Sequence, residues 1–346
     1  MTVASASPVP LRTRGVRDCP VCRGPGDLLY EGLEDRLYHV PGLWNVRRCL
    51  DHECGLLWLD PAPVREDLPL AYARYHTHAG ETPAPAPLPA VLKRWLREGQ
   101  LARRFGYRPR HHLAKRALAS LALAPFPELR RALERSVMHL PPIAGGRVLD
   151  VGCGEGRTLE ALRDLGWAVE GVDFDAAAVQ HARSRGLEVH CGGVEDRHYP
   201  DGRFHAIVLS HVLEHVVDPA ALLRECRRIL RNDGVVAIAT PNAESLGHHE
   251  FGRDWRGLEP PRHLQVFTPA SLARVAREAG FARQDLTSTA DAARFMYVES
   301  ARIAAEPGVD PAAVRAAAVR FRRAEAALVK RDPWCGEELL LFARSG

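Results

Sequence analysis

The sequence predicts an α/β fold: a doubly wound, mostly parallel sheet preceded by a small cysteine-bearing N-terminal unit and a helical linker. Three observations predict it. Apolar runs of strand length alternate with helical runs between residues 148 and 240, and that rhythm builds a parallel sheet with helices on both faces. The first of these strands runs into a glycine-rich turn, Gly152-Cys-Gly-Glu-Gly156. Four of the eight cysteines form two short-spaced pairs near the N-terminus, the spacing of a metal site.

The first strand opens at Val148, carries Asp150 at its end and is followed by a helix over Arg157–Leu165. Glycines at 152, 154 and 156 let the backbone take unusual φ angles and let a ligand approach. A dinucleotide fingerprint reads G-x-G-x-x-G; here the third glycine comes one residue early and an acid precedes the first. A carboxylate facing that loop repels a pyrophosphate and suits a cation, such as the amino-acid end of S-adenosylmethionine. A second strand, Trp167–Asp173, ends in an acid. An acid about 20 residues past a glycine loop is placed to bind two ribose hydroxyls. Asp173 fits that role, and Phe174 can pack on the adenine. Strands over Leu187–Cys191, Phe204–Ser210 and Gly234–Thr240 and helices over Ala176–Arg185 and Pro219–Arg231 complete the rhythm. The ligand belongs beyond the carboxyl ends of the strands. A glycine loop alone fits other nucleotide sites equally well; the loop, the strand-end acid and the rhythm together favour S-adenosylmethionine.

Asp150–Gly156, Asp173 and the run Leu209-Ser-His-Val-Leu-Glu-His-Val-Val-Asp-Pro219 resemble a class I S-adenosylmethionine-dependent methyltransferase, with a pattern like that of the ubiquinone-biosynthesis O-methyltransferases. The resemblance covers roughly residues 143–285 and returns in Gly336–Arg344, which looks like the family's last, antiparallel strand. It implies a Rossmann-like methyltransferase domain over residues 141–346. It also implies S-adenosylmethionine as cofactor, held by Asp150, Gly152, Gly154, Gly156, Asp173, Phe174 and Ser210. The family often has an acid after the glycine of the adenine loop, where this chain has Gly193 in Cys191-Gly-Gly-Val-Glu-Asp196. Adenine recognition then falls to the Val194 backbone and to Glu195. The activity implied is methyl transfer to a small-molecule acceptor, as O-methylation of a sugar, a quinone or a secondary metabolite.

Cys19, Cys22, Cys49 and Cys54 suit tetrahedral zinc on two knuckles. Zinc is favoured over disulfides in a cytoplasmic protein. Gly24 and Gly55 follow the pairs where each knuckle must tighten, and His52 is a substitute ligand. The alternative is that the pairs are vestigial and hold no metal. A closed four-thiolate site has no open position for catalysis. Residues 1–15 are expected to be disordered and residues 16–62 to form the zinc ribbon. Cys153, Cys191, Cys226 and Cys335 are scattered, and Cys153 is read as packing.

The chain has 346 residues, 46% of them hydrophobic, and a net charge of +4 that names no partner. Its start lacks the layout of a signal peptide, and its longest apolar runs, such as Ala117–Phe126, are too short for a bilayer. A soluble, cytoplasmic protein without a membrane partner is expected. Residues 63–140 read as a helical linker or lid. Tyr72, Tyr75 and His76 are candidates to cover the cofactor, or are simply buried residues of a surface helix. Pro83–Pro89 is a stiff linker. From Lys93 to Arg116 there are nine Lys or Arg side chains against one acid, Glu98. This is either a patch for nucleic acid or an anionic acceptor, or the solvated face of a helix.

The run His211-Val-Leu-Glu-His215 starts where a strand ends. On a helix, His211 and His215 share a face with Glu214 beside them. The string also occurs in inverted zincin proteases, where it lies inside a long helix; a strand end argues against that reading. A Pro- and Gly-rich loop, Thr240 to Thr268, carries His263 at the same edge of the sheet, and Thr268 caps a helix starting at Pro269. Three readings stay open. His263 or His211 is a general base for a substrate hydroxyl; or His211, Glu214, His215 and His263 gather a divalent metal, a layout similar to that of small-RNA 2′-O-methyltransferases; or Glu214 and His215 only brace helix and loop. Trp255 and Phe267 are candidates to wall the acceptor pocket, and Arg253, Arg256 and Arg262 to meet an anionic acceptor. Residues 286–335 read as a helical cap over the acceptor. The rival functions are an RNA methyltransferase that uses the ribbon and basic helices, and a non-catalytic binding module.

Overall fold

The computed structural model describes residues 10–72, 90–107, 118–119, 121–305 and 309–345. Tyr75, His76, Pro83–Pro89 and the stretch from Arg108 to Arg116 lie outside them, as do residues 1–9. The chain folds as two compact units that it enters more than once: Met1–His76 with His211–Leu223 and Ala239–Leu341, and Thr77–Ser210 with Arg224–Ile238 and Phe342–Gly346. Among the described residues no helix is long and apolar enough to cross a membrane.

The N-terminal segment is ordered earlier than the sequence suggests. Strand β1 (Thr13–Arg14) pairs antiparallel with β5 (Ala62–Pro63), and Arg12 forms an ion pair with Asp67 at 2.7 Å. Between them run β2 (Gly26–Leu33), β3 (Trp44–Cys49) and β4 (Leu57–Leu59), an antiparallel meander. Its fourth strand is not local: residues 265–266 pair with β4. The inner face is apolar, with Trp44, Val46, Leu57 and Leu59 in one core together with Trp255, Leu264 and Val266.

The second unit carries helices α1 (Ala90–Phe105) and α2 (Pro127–Arg135) ahead of the strand–helix rhythm. That rhythm runs β6 (Arg147–Val151), α3 (Arg157–Asp164), β7 (Ala168–Asp173), α4 (Ala176–Ser184), β8 (Val189–Cys191) and β9 (Phe204–Ser210). Strand β6 pairs in parallel with both β7 and β9, and β7 with β8. Four of the five β6 residues are buried, as a strand covered on both faces requires. In this unit Arg94, Arg97 and Arg104 of α1 are engaged by Glu98, Asp164 and Glu134.

The chain continues through α5 (Pro219–Ile229), β10 (Leu230–Pro241), α6 (Leu246–Phe251), β11 (Gln265–Val266) and α7 (Pro269–Glu278). Then come β12 (Arg283–Thr289), α8 (Ala293–Ala304), α9 (Pro311–Leu328) and β13 (Glu338–Arg344). Seven strands form one sheet in the order β12-β13-β10-β9-β6-β7-β8. Asn242 N–H donates to the Glu337 carbonyl, and the Ser345 hydroxyl to the Asn232 carbonyl. These bonds put opposite ends of β10 and β13 together, so β13 is antiparallel. The segment 286–335 is not helical throughout: its first residues finish the edge strand β12. Thr268 caps α7 through Ser271, as its position before Pro269 suggests.

Candidate active site

The cofactor loop is built from the glycines and two acids. Gly152, Gly154 and Gly156 have φ of 71°, 51° and 77°, the left-handed region that favours glycine. At Gly156 a Cβ would also lie 2.4 Å from Leu187. Asp173 ties the loop to β7: Oδ2 accepts from Gly154 N–H at 2.7 Å and Oδ1 from Asp175 N–H at 2.8 Å. A carboxylate oxygen accepts more than one bond, so capacity for hydroxyls remains. Asp150 is buried, and burial, then the charge of Asp173, pushes its carboxyl up to about 8. Such a group gains by meeting a cation. Phe174 is 71% exposed, open to stack. Gly192 N–H donates to the Asp173 carbonyl, which brings the 192–195 loop alongside. Val194 is buried and Glu195 exposed. Asp196 Oδ2 accepts from Gly193 N–H at 2.8 Å, which braces this loop. Ser210 ends β9, half-buried. Cys153 packs with Leu159 and Val179.

After Ser210 the chain does not form the expected helix. His211 takes φ 55°, and only a single 3-10 turn, Leu213–His215, follows. His211 and His215 therefore do not share a face. His211 lies between two buried carboxylates, Nδ1 3.2 Å from Glu214 and Nε2 2.7 Å from Glu338. Burial opposes its charge, but the bonds to Glu214 and Glu338 outweigh it and push the imidazole up to about 10. Both ring nitrogens face carboxylates, which favours the protonated ring over the expected base. It also leaves the proposed four-residue metal set. Glu214, His215 and His263 remain, with ligand atoms within 4.8 Å of one another.

His263 is buried. Its Nδ1–H donates to the Gly257 carbonyl at 2.7 Å, and Nε2 lies 3.3 Å from Glu259. Burial lowers its basicity to about 4 despite the charge of Glu259. The His215 ring is 4.6 Å away, edge on, and its Nδ1 meets the Tyr72 hydroxyl at 2.8 Å and the Arg262 carbonyl at 3.1 Å. Of the lid candidates, Tyr72 thus reaches the histidines. Arg256 and Arg262 are buried and paired with Glu259, and Arg262 also with Asp35 at 2.7 Å, so their charges are engaged within the protein. Arg253 donates to the Glu31 carbonyl. Trp255 and Phe267 are fully buried; the Trp255 indole donates to Glu337, and Trp255 lines a pocket together with Arg253, Arg256 and Arg262, which Phe267 does not reach.

Sequence reasoning missed Glu338 and Glu259. The pair Glu337-Glu338 ahead of an apolar strand was the available signal, since acids rarely open a buried strand without a partner.

The four N-terminal cysteines converge, with Cys19 and Cys54 sulfurs 3.7 Å apart and Cys22 and Cys49 sulfurs 3.2 Å apart. All four sulfurs lie within 4.8 Å of one another. Four sulfurs ~2.3 Å from zinc in a tetrahedron stand ~3.8 Å apart, so this donor set fits that ion.

A methyltransferase-domain family profile matches residues 125–285. The chain is similar to the ubiquinone biosynthesis O-methyltransferase of Thiobacillus denitrificans, 33% identical over 177 residues, which are 47% of this chain and 76% of that protein. A Mycolicibacterium smegmatis protein named as a probable S-adenosylmethionine-dependent methyltransferase is 35% identical over 144 residues, 41% of this chain and 54% of its own length. A solved SAM-dependent methyltransferase of Archaeoglobus fulgidus is similar at TM-score 0.43 and 18% identity, over 65% of this chain and 99% of that one. With the glycine loop, its strand-end acids and the antiparallel last strand in place, the chain belongs to the class I S-adenosylmethionine-dependent methyltransferases.

Proposed function

We propose that the chain methylates a small-molecule acceptor on oxygen, a sugar, quinone or secondary metabolite, with His263 as general base, as a soluble cytoplasmic enzyme. The observation that carries the base is the fixed tautomer of His263. Its Nδ1–H is committed to the Gly257 carbonyl, so a neutral ring keeps its lone pair on Nε2. Glu259, 3.3 Å from Nε2, then stabilises the ring once it has taken a proton. Bound S-adenosylmethionine supplies an electrophilic methyl. Asp150 would hold its ammonium, Asp173 its ribose hydroxyls, Val194, Glu195 and Phe174 its adenine, and Ser210 the strand end beside it. Positioning and exclusion of water are the protein's remaining tasks. The names of the quinone-modifying relatives support oxygen as the acceptor atom. The ion pairs of Arg94, Arg97 and Arg104 favour a small molecule over RNA. Cys19, Cys22, Cys49 and Cys54 would hold structural zinc.

Replacing His263 by Ala should cut methyl transfer by roughly 10²- to 10⁴-fold and leave S-adenosylmethionine affinity unchanged by calorimetry. Undiminished transfer by a folded variant would remove His263 from the reaction. One observation favours a second reading: Glu214, His215 and His263 are close enough to share a divalent cation. In that case transfer stops on chelation and returns with added metal.

A further inference from the structure

The reaction turn and the cysteine-bearing sheet, both in one compact unit, are joined by two residues. Strand β11 pairs with β4, Gln265 opposite Trp58 and Val266 opposite Leu57, and Leu59 N–H donates to the Leu264 carbonyl at 3.0 Å. On the other side Leu264 N–H donates to the Glu214 carbonyl at 2.8 Å. The Gln265 side chain, buried, donates from Nε2 to the carbonyls of Leu213 and Val216, each at 2.7 Å. Three residues on, the Thr268 hydroxyl donates to the Cys54 carbonyl while its oxygen caps α7.

A three-residue 3-10 turn leaves carbonyls at its ends without partners inside the turn. A primary amide offers two N–H bonds from one nitrogen, and here both go to the two carbonyls that flank Glu214 and His215. We propose that Gln265 is a positioning residue for methyl transfer: anchored on the cysteine-bearing sheet, its amide holds the turn that carries Glu214 and His215. The ribbon thereby acts on the reaction through strand register, without a ligand position of its own. The inference rests on the reading that His263, whose ring meets His215 at 4.6 Å, is the base for the acceptor.

Hydrogen exchange on the full chain tests it without knowledge of the acceptor. In Gln265→Leu and Gln265→Glu, which remove the donors at similar volume, exchange over residues 211–218 should quicken about tenfold or more. Exchange over residues 147–173 and S-adenosylmethionine affinity should not change. Gln265→Asn, which keeps the amide on a shorter stem, should fall between, and guards against a variant that fails to fold. Methyl transfer into a host extract, normalised to the folded fraction that binds S-adenosylmethionine in calorimetry, should fall about tenfold at unchanged apparent KM for S-adenosylmethionine, an effect that mere loss of folded protein does not produce. Removing metal from the wild-type cysteines should loosen the same segment. Unchanged exchange over 211–218, or equal loosening everywhere, overturns the proposal. Local loosening with full transfer also overturns it if His263→Ala is inactive. If His263→Ala is active as well, the reading beneath the proposal falls too.

Discussion

Asp150 is a buried acid at the end of a strand, within the field of a second acid, Asp173, and its carboxyl is pushed up to about 8. Burial thus favours the protonated form in the free protein, and a cationic ligand bound there would displace that proton. The sign follows: below pH 8 binding releases a proton, and affinity rises with pH. An α-amino group titrates near 7.7–8.0, so the clean window is about pH 5.5 to 7.5. Titration calorimetry in buffers of different ionisation enthalpy should show proton release in that window, lost in Asp150→Asn along with a weakening of about ten- to a hundredfold. A pH-independent affinity with no proton released would contradict this role. The positions of Asp150 and Asp173 were legible because each lies at a strand end beside the glycine loop. The state of His211 was not, because it depends on Glu338, 127 residues away and brought near only by the antiparallel β13.

At the scale of elements, local pattern identified the parallel strands and the cap at Thr268 well, since apolar runs and capping chemistry are short-range. It failed where tertiary pairing decides. Five residues after β9 read as helix, yet the chain turns at a left-handed His211 and makes one 3-10 turn, because its carbonyls are taken by Gln265 and Leu264. Likewise the sheet of the cysteine segment borrows β11 from far along the chain, and no periodicity in the first 62 residues announces it. The knuckles themselves were readable from spacing alone. Metal at structural thiolate sites contributes on the order of 10 kcal/mol to folding. The purified protein should contain one zinc per chain by elemental analysis. Cys54→Ser should lose it and melt at a lower temperature. A zinc-free chain with the melting temperature of the wild type would show that the cysteines hold no structural metal.

At the scale of the molecule, the chain is interleaved: the N-terminal segment belongs to the same compact unit as residues 239–341, and the cofactor loop to the other. Linear boundaries near residues 62 and 140 follow composition, and composition cannot register such returns. The fold class was readable because it needs only the order of strands and helices. The acceptor was not, because Arg256 and Arg262, which line one pocket with Trp255, are neutralised by Glu259 and Asp35 and so name no ligand. The central claim is methyl transfer to a small molecule. Its most direct test is transfer of labelled methyl from S-adenosylmethionine into a host extract, separated into small-molecule and macromolecular fractions. Label in the small-molecule fraction, strongly reduced with Asp150→Asn at limiting S-adenosylmethionine, is the predicted result. Label confined to a macromolecular fraction and removed by RNase would contradict it.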